Sequence, residues 1–516
     1  MATATATSPA LLLLLLLLIG GAPPATKADM PMAVNEEVLG LVVFKSALSD
    51  PTGALATWTE SDATPCGWAR VECDPATSRV LRLALDGLAL SGSMPRGLDR
   101  LPALQDLSLA RNNLSGPLPP GLSLLGSLRS LDLSYNAFSG PLPDDVARLA
   151  SLRYLDLTGN AFSGPLPPAF PRTLRFLVLS GNQFSGPVPE GLAAKSPLLL
   201  HLNVSGNQLS GSPDFAGALW PLERLRTLDL SRNQFSGPVT DGIARLHNLK
   251  TLSLSGNRFS GAVPADIGLC PHLSTIDLSS NAFDGHLPDS IGQLGSLVYL
   301  SASGNRLSGD VPAWLGKLAA VQHLDLSDNA LTGSLPDSLG DLKALKYLSL
   351  SRNQLSGAVP ASMSGCTKLA ELHLRGNSLS GSIPDALFDV GLETLDVSSN
   401  ALSGVLPSGS TRLAETLQWL DLSGNRLTGG IPTEMSLFFK LRYLNVSRND
   451  LRTPLPPELG LLRNLTVLDL RSTGLYGAMP ADLCESGSLA VLQLDGNSLS
   501  GPIPDSIGNC SSLYLL

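Results

Sequence analysis

The feature that most constrains this chain is a repeat: one pattern of leucine, asparagine, glycine and proline positions returns every 22 to 26 residues, most often every 24. From Val80 onward it reads L-x-x-L-x-L-x-x-N-x-L-S-G-x-(L/I/V)-P, and we call its asparagine place the ladder position. Repeats of this length are typical of solenoids, in which each unit adds one short strand and a return segment. With Leu88 and Thr473 in the same register there are 18 units, and asparagine occupies 16 ladder positions: Asn112, Asn136, Asn160, Asn182, Asn207, Asn233, Asn257, Asn281, Asn305, Asn329, Asn353, Asn377, Asn400, Asn425, Asn449 and Asn497.

The leucine positions predict the core of this solenoid, because one unit alone cannot bury its apolar side and stacked units share a continuous core. The ladder asparagine has an amide that both donates and accepts hydrogen bonds, so it is expected to pair backbone groups of neighbouring turns. Glycine follows four residues later in all units but that of Thr453, and proline seven residues later in 16 of 18. The pattern therefore predicts an α/β repeat fold, a leucine-rich-repeat solenoid with a parallel sheet on its concave face.

Composition limits the partners. The formal charge of −9 and pI near 5.2 disfavour nucleic acid and anionic membrane surfaces, which require a basic patch. We find no kinase motifs, no Ser/His/Asp grouping, no phosphate-binding loop and no Cys/His metal pattern, and the many glycines are explained by the repeat. We therefore expect no catalytic residues, no cofactor, no metal and no membrane contact by this chain itself.

The first residues and the sequons indicate secretion. An unbroken apolar run covers residues 11–19 and small residues follow, which predicts a cleaved signal peptide over 1–28. This run is too short to cross a bilayer, which takes roughly 20 residues. Five N-x-(S/T) sequons fit a secreted glycoprotein: Asn113, Asn203, Asn445, Asn464 and Asn509. Two of them, Asn203 and Asn445, fall in concave strand positions, so either they are unused or recognition avoids them.

Residues 29–79 are expected to cap the first repeat, since an exposed solenoid end leaves leucines and strand edges in water. Residues 35–48 have a helical pattern, and Trp58 and the segment from Cys66 through Trp68 to Cys73 follow. Residues 80–516 then hold about 18 repeats. Leu513 and Leu516 occupy the first two leucine places of a nineteenth unit, so we expect the array to be truncated within it.

Together these segments resemble known plant proteins. The L-S-G-x-I-P half of the unit resembles the plant-specific leucine-rich repeats, which implies a right-handed solenoid with a second strand in each unit. The cap resembles that of plant leucine-rich-repeat receptors, which implies a disulfide between Cys66 and Cys73. As a whole the chain resembles the ectodomain of a plant leucine-rich-repeat receptor-like kinase, and residues 468–504 resemble the group described as probably inactive. The resemblance implies a signalling part that lies outside this chain.

Only the variable strand positions of the concave face and the lateral edges are free to specify a partner. Six aromatic residues, in a chain with 5% aromatics, stand six places before ladder positions, and four basic residues directly precede some of them. Exposed aromatics are good anchors for recognition. The alternative is that the aromatics pack along the sheet and shield it. The candidate ligand-binding residues are Arg153, Tyr154, Arg175, Phe176, Tyr299, Lys346, Tyr347, Trp419, Arg442 and Tyr443.

The resemblance implies that the partner is a peptide or protein ligand together with a co-receptor ectodomain, sensed at the extracellular face of the plasma membrane. The chain departs from two receptor classes: no unit has arginine at both the sixth and fourth places before its ladder residue, and no long island interrupts the repeats. The competing hypothesis is a soluble secreted repeat protein, such as an inhibitor of microbial cell-wall hydrolases. That class typically has about half as many units.

Several other positions have two interpretations. Trp220 lies in an irregular stretch where Asp214 and Thr240 replace the expected prolines, and either packs or offers an exposed binding feature. The aspartates four places before the ladder positions are interpreted mainly as solvated scaffold. Cys270 and Cys366 lie too far apart to pair and are expected to be buried. The remaining two cysteines, Cys484 and Cys510, lie in adjacent units, where pairing and no pairing both remain open.

Overall fold

The computed structural model describes residues 35–516 except 95, 407, 409, 410 and 486, and the predicted signal peptide lies outside the described residues. The cap begins with a helix, Glu36–Ser46, whose N-terminus is capped by the Asn35 side chain, which accepts from the Glu37 N–H at 2.9 Å. Buried Glu37 accepts from the Val80 backbone N–H at 3.1 Å, which ties the cap helix to the first repeat. A disulfide joins Cys66 to Cys73, with the Cα atoms 5.5 Å apart.

The main sheet takes one strand from each repeat, and each strand pairs in parallel with the next along the chain. Its first strand, from the cap, is antiparallel to the second. Parallel pairing in constant register places equivalent leucines side by side and so builds one continuous core. In the described residues its strands are Val71–Cys73, Val80–Ala84, Asp106–Ser108, Ser130–Asp132, Tyr154–Asp156, Phe176–Val178, His201–Asn203, Thr227–Asp229, Thr251–Ser253, Thr275–Asp277, Tyr299–Ser301, His323–Asp325, Tyr347–Ser349, Glu371–His373, Thr394–Asp396, Trp419–Asp421, Tyr443–Asn445, Val467–Asp469 and Val491–Gln493.

A second set of strands follows the ladder positions and pairs in parallel, as the plant-type resemblance implies. Its first member, Leu48–Ser49, comes from the cap and is antiparallel to the next strand. Their short length follows from the glycine four residues after all but one of the ladder positions, which adopts positive φ, 80° at Gly140 for example. They are Leu48–Ser49, Ser91–Ser93, Asn113–Gly116, Ala137–Gly140, Ala161–Pro165, Gln183–Gly186, Gln208–Gly211, Gln234–Pro238, Arg258–Ala262, Ala282–Gly285, Arg306–Asp310, Ala330–Thr332, Ser356–Gly357, Ser378–Gly381, Ala401–Val405, Arg426–Thr428, Tyr476–Gly477 and Ser498–Leu499.

Helices are few and short, so the predicted α/β solenoid is mainly a strand structure. After the cap helix, the α-helices of the described residues are Leu192–Lys195 and Thr411–Thr416, and Phe215–Leu219 is a π-helix. Most return segments instead contain one 3-10 turn, and in ten of the turns a proline directly precedes the turn and fixes the entry angle. These turns are Pro65–Gly67, Leu98–Arg100, Leu122–Leu124, Asp144–Arg148, Ile243–Arg245, Ala265–Leu269, Asp289–Gln293, Ala313–Lys317, Asp337–Asp341, Ala361–Gly365, Asp385–Asp389, Thr433–Leu437, Pro457–Leu461 and Asp505–Asn509.

The ladder asparagines perform the structural role predicted for them. The Asn136 amide nitrogen donates to the carbonyl of Leu109 in the preceding unit at 2.9 Å and to that of Leu133 at 3.1 Å. Its oxygen accepts from the backbone N–H of Leu114 at 3.0 Å. The same contacts recur at the following asparagines, so each amide crosslinks two consecutive units.

The core contains a stack of phenylalanines in addition to the leucines. The Phe235, Phe259 and Phe283 rings stack at 6.0 and 6.2 Å between centroids, and all three are fully buried. Trp220 is also buried, stacks on Phe215 at 4.8 Å and donates its indole N–H to the Thr240 carbonyl at 2.9 Å. The packing interpretation of Trp220 is therefore confirmed, and the binding interpretation is wrong.

The remaining four cysteines comprise two free thiols and one disulfide. Cys270 and Cys366 are buried, and their thiols donate to backbone carbonyls 3.3 and 3.0 Å away. Burial raises the pKa of each thiol to about 11, so both remain protonated at physiological pH. The structure pairs Cys484 with Cys510, whose Cα atoms are 4.9 Å apart, which decides between the two alternatives left by the sequence.

Candidate ligand-binding face

Residues six places before the ladder positions lie side by side on the main sheet, and we call this line of residues the first column. The pairing runs from Tyr154 to Phe176 and His201 at one end. Further along it runs through Tyr299, His323 and Tyr347. Side chains alternate between the two faces of a strand, so the leucine after each of these residues is buried in the core. The sheet thereby presents the first column to the concave side.

The six predicted aromatics fall into three groups. Near the N-terminus, the Phe176 ring lies 6.0 Å from Tyr154 and 6.3 Å from His201. In the middle, His323 is sandwiched between Tyr299 and Tyr347, with centroids 4.4 and 4.3 Å away and planes within 7°. The third group, Trp419 and Tyr443, is stacked at 3.6 Å with planes 1° apart. The ten candidate residues therefore form separate patches and not one surface.

Stacking along the sheet changes what these rings offer to a partner. In the middle group, Tyr299 and Tyr347 cover both faces of the His323 ring. Phe176 and Trp419 remain the most open, with 38% and 42% of their surfaces exposed. The alternative that the aromatics pack along the sheet thus describes the middle group well, whereas Phe176 and Trp419 keep accessible apolar area.

The four basic residues of the prediction, Arg153, Arg175, Lys346 and Arg442, are all exposed at the start of their strands. None of them lies over an aromatic ring. In the described residues the recorded cation–π contact joins Arg111 to the Tyr135 ring at 5.9 Å, away from the first column. The basic side chains therefore border the aromatic patches, where their charges are free to meet a partner.

The aspartates four places before the ladder positions stabilise turns. Asp132 accepts from the Ser134 backbone N–H at 2.9 Å and from its hydroxyl at 2.7 Å, and the same pair of bonds recurs in later units. A scaffold role therefore accounts for this column. The expectation that it is solvated is wrong for Asp421 and Asp469, each 4% exposed. Desolvation raises the pKa of Asp421, despite its bonds to Ser423.

Tyrosine hydroxyls donate hydrogen bonds to some of these carboxylates. The Tyr154 hydroxyl donates to Asp156 Oδ2 at 3.0 Å, and the Tyr443 hydroxyl donates to Asp421 Oδ2 at 3.4 Å. Burial raises the pKa of Tyr154, Tyr299, Tyr347 and Tyr443, so these phenols are protonated donors.

The prediction from the sequence counted only Phe, Tyr and Trp, and so it left histidines out of the candidate residues. His201 and His323 occupy the first column itself, and His373 lies 5.4 Å from the Tyr347 ring. A signal was present in the sequence, because His323 lies 24 residues after Tyr299 and 24 before Tyr347. Counting planar rings at the repeat period, and not only Phe, Tyr and Trp, identifies the stack.

The sequons differ in accessibility. Asn113, Asn464 and Asn509 are exposed, and Asn203 is half-buried. Asn445 is buried, its amide nitrogen bonds the Tyr443 hydroxyl at 3.2 Å, and its oxygen accepts from Ser447 at 2.7 Å. A glycan on Asn445 does not fit this structure, because attachment requires an amide nitrogen that reaches solvent. This burial favours the alternative, left open by the sequence, that the Asn445 sequon is unused.

The half-buried His323 gives a pH prediction. Desolvation between two tyrosines lowers the pKa of His323 below its usual 6.5, despite the opposing pull of Asp325. The unfolded chain therefore binds a proton more readily than the folded one as pH falls below about 6.5, so the contribution of neutral His323 to stability is lost there. We expect the stability difference between wild type and His323→Gln to shrink from pH 7.5 to 5.0, as measured by urea unfolding. A constant difference across this range would contradict the lowered pKa.

The described residues contain no group of three His, Cys, Asp or Glu side chains arranged to hold a metal ion. Across the same residues, no helix has the length and hydropathy of a membrane-spanning helix.

Comparison with family models places repeat sequences along most of the chain. The leucine rich repeat N-terminal domain matches residues 34–74, and a leucine-rich repeat region matches 202–382. Leucine rich repeat models match 102–162 and 367–427, and shorter matches cover 173–194, 440–462 and 488–510. The match to the N-terminal domain ends at residue 74, before the first repeat strand, Val80–Ala84.

Solved structures resemble the chain over nearly its full length. The Arabidopsis receptor kinase HAESA, in complex with the peptide hormone IDA and the co-receptor SERK1, is 31% identical with a TM-score of 0.76, over 93% of this chain and 89% of that one. A TDR receptor is 31% identical with a TM-score of 0.75, over 86% and 81%.

Among curated proteins, a probably inactive leucine-rich repeat receptor-like protein kinase of Arabidopsis thaliana is 56% identical over 80 residues. This match spans 16% of the chain and only 8% of that protein. The local identity is therefore high, whereas most of the relative lies outside the matched segment.

Proposed function

The chain belongs to the leucine-rich-repeat proteins and has the ectodomain fold of plant receptor-like kinases, and from this premise we propose that it is the extracellular sensing domain of such a receptor. Its role is to bind a peptide or protein ligand, together with a co-receptor ectodomain, at the outer face of the plasma membrane. The structural neighbour HAESA, which has a similar fold over 89% of its chain, is in complex with a peptide hormone and a co-receptor.

One observation on this chain carries the proposal. The leucines and ladder asparagines are committed to the core, yet the first column keeps Phe176 and Trp419 about two-fifths exposed on a sheet. Exposed aromatic side chains bordered by charged ones are typical anchors of protein interfaces. The number of repeats and the likeness to receptor ectodomains favour this function over that of an inhibitor of cell-wall hydrolases.

The experiment is a binding screen of the secreted chain against synthetic secreted peptides and co-receptor ectodomains, followed by Tyr347→Ala and Trp419→Ala. We expect each substitution to weaken binding of a selected ligand about tenfold or more, as for interface hot spots. Tyr476→Ala is the matched control, because Tyr476 is 48% exposed but lies in a second-set strand. Unchanged affinity in both concave variants would refute the proposed surface.

A further inference from the structure

The Trp419 ring has one covered face and one open face. Tyr443, on the following strand, stacks against it at 3.6 Å with the two planes 1° apart. Because the planes are parallel and Tyr443 covers one side, the opposite face points toward the preceding strand, where the paired residue is Thr394. In the described residues no second ring and no Lys or Arg side chain lies over this face, and the indole is 42% exposed.

Thr394 forms the floor of a slot beside this open face. The strand before it contributes Glu371 to the same column, so Glu371 and Trp419 stand on either side of a short side chain. Two strand spacings separate these walls, about 10 Å between backbones. An aromatic ring is about 3.5 Å thick, which leaves room for a flat group to lie on the indole.

Beside the floor of the slot, one carboxylate oxygen lacks the tyrosine partner that it has in two other units. Asp156 Oδ2 and Asp421 Oδ2 each accept from a tyrosine hydroxyl. Asp396 uses Oδ1 for Ser398, as the other aspartates do, but Thr394 and Trp419 stand where those tyrosines would be. Its Oδ2 therefore accepts no hydrogen bond from the described residues and is available to a donor that enters the slot.

The charge around the slot is negative. Glu371 has 48% of its side chain exposed and contacts His373 Nε2 at 3.4 Å, and Glu393 is exposed next to Thr394. Arg375 is the basic side chain near these carboxylates. Its charge partly opposes the raised pKa of Asp421, but the side chain does not lie over the indole. An acidic rim beside a vacant aromatic face is complementary to a planar cation.

We propose that this slot, formed by Glu371, Thr394, Asp396 and Trp419, binds an arginine side chain of the peptide ligand. The inference rests on the proposed function for the identity of the partner. A guanidinium is planar, stacks on indole, and presents several N–H donors from its edge to Asp396 and Glu371. A lysine ammonium lacks the flat face and is more strongly hydrated, so it fits the slot less well.

The test uses three capped tripeptides as probes: acetyl-Gly-Arg-Gly-amide, its lysine counterpart and its citrulline counterpart, which keeps the shape of arginine without the charge. The readout is acrylamide quenching of tryptophan fluorescence. Trp58, Trp68 and Trp220 are buried and Trp314 is partly buried, so quenching reports mainly on Trp419. We expect millimolar arginine probe to protect the accessible tryptophan, and the citrulline probe to bind about tenfold more weakly or not at all.

Substitutions in the slot test whether the protection from quenching arises there. Trp419→Phe should remove most of the quenchable signal, whereas Asp396→Asn and Glu371→Gln should keep that signal, which reports a folded site, but weaken protection by the arginine probe. Asp310→Asn, a change at an exposed aspartate of a second-set strand, is the control and should change nothing. Equal protection by arginine and citrulline probes, or none by either, would overturn the inference. If a ligand found in the binding screen still depends on Tyr347, the proposed function survives that failure.

Discussion

Replacing Phe259 with alanine is expected to lower the free energy of unfolding by about 3–5 kcal/mol, the usual cost of removing a fully buried phenylalanine. Its ring stacks on Phe235 and Phe283 and lies 5.9 Å from Phe215, so the substitution leaves a cavity that borders four consecutive units. The neighbouring rings are held by their own units and cannot collapse into the space, which places the cost at the upper end of the range.

The matched control is Phe439→Ala, because Phe439 is 53% exposed, and its loss should change stability by less than about 0.5 kcal/mol. Guanidinium unfolding of both variants measures the difference. Solenoids unfold in segments, so amide exchange of residues 207–305 should report the local loss directly. Equal destabilisation by the two substitutions would contradict the stacked core.

The second large effect is expected at the asparagine ladder. Asn353 is 8% exposed, and its amide nitrogen donates to the carbonyls of Leu326 at 3.0 Å and Leu350 at 3.1 Å. Its oxygen accepts from the Leu331 N–H at 3.0 Å. Alanine leaves these three buried groups unpaired at about 1–3 kcal/mol each, so we expect Asn353→Ala to cost at least about 3 kcal/mol in total.

Asn248→Ala is the control, because it removes an asparagine that lies outside the ladder. Asn248 is exposed and makes one side-chain hydrogen bond, to the Glu223 carbonyl at 3.3 Å, so its loss should change stability by less than about 0.5 kcal/mol. The measurement is again denaturant unfolding, with amide exchange of the units around residues 329 and 353. A ladder variant as stable as this control would refute the crosslinking role.

The sequence placed the candidate residues in one column of the sheet, as the structure shows, but it did not give the arrangement of their rings. Constant spacing from the ladder placed Tyr299 and Tyr347 in one column, because parallel strands in constant register align residues one period apart. The spacing did not reveal that His323 lies between them and covers one face of each tyrosine ring. Ring orientation depends on side-chain torsions and on neighbours from two other units, which a linear pattern does not specify.

The sequence also did not show which individual side chains are buried or paired. Asn445 satisfies a sequon in the sequence, but its burial against Tyr443 and Ser447 appears only when adjacent units stack. Cys484 and Cys510 were known to lie in neighbouring units, yet pairing depends on the direction of both Cα–Cβ bonds.

The sequence by itself determined the solenoid, the cap, the register and the inward-facing leucines and asparagines, because these features repeat and each repeat imposes the same local requirement. Tertiary structure alone decided which aromatic faces are covered, which carboxylate oxygens lack a donor and which sequon is buried. The physical reason is that these properties depend on a single pair of neighbouring units. The open face of Trp419 exists because the preceding strand contributes the short Thr394, and only the stacked units bring the two together.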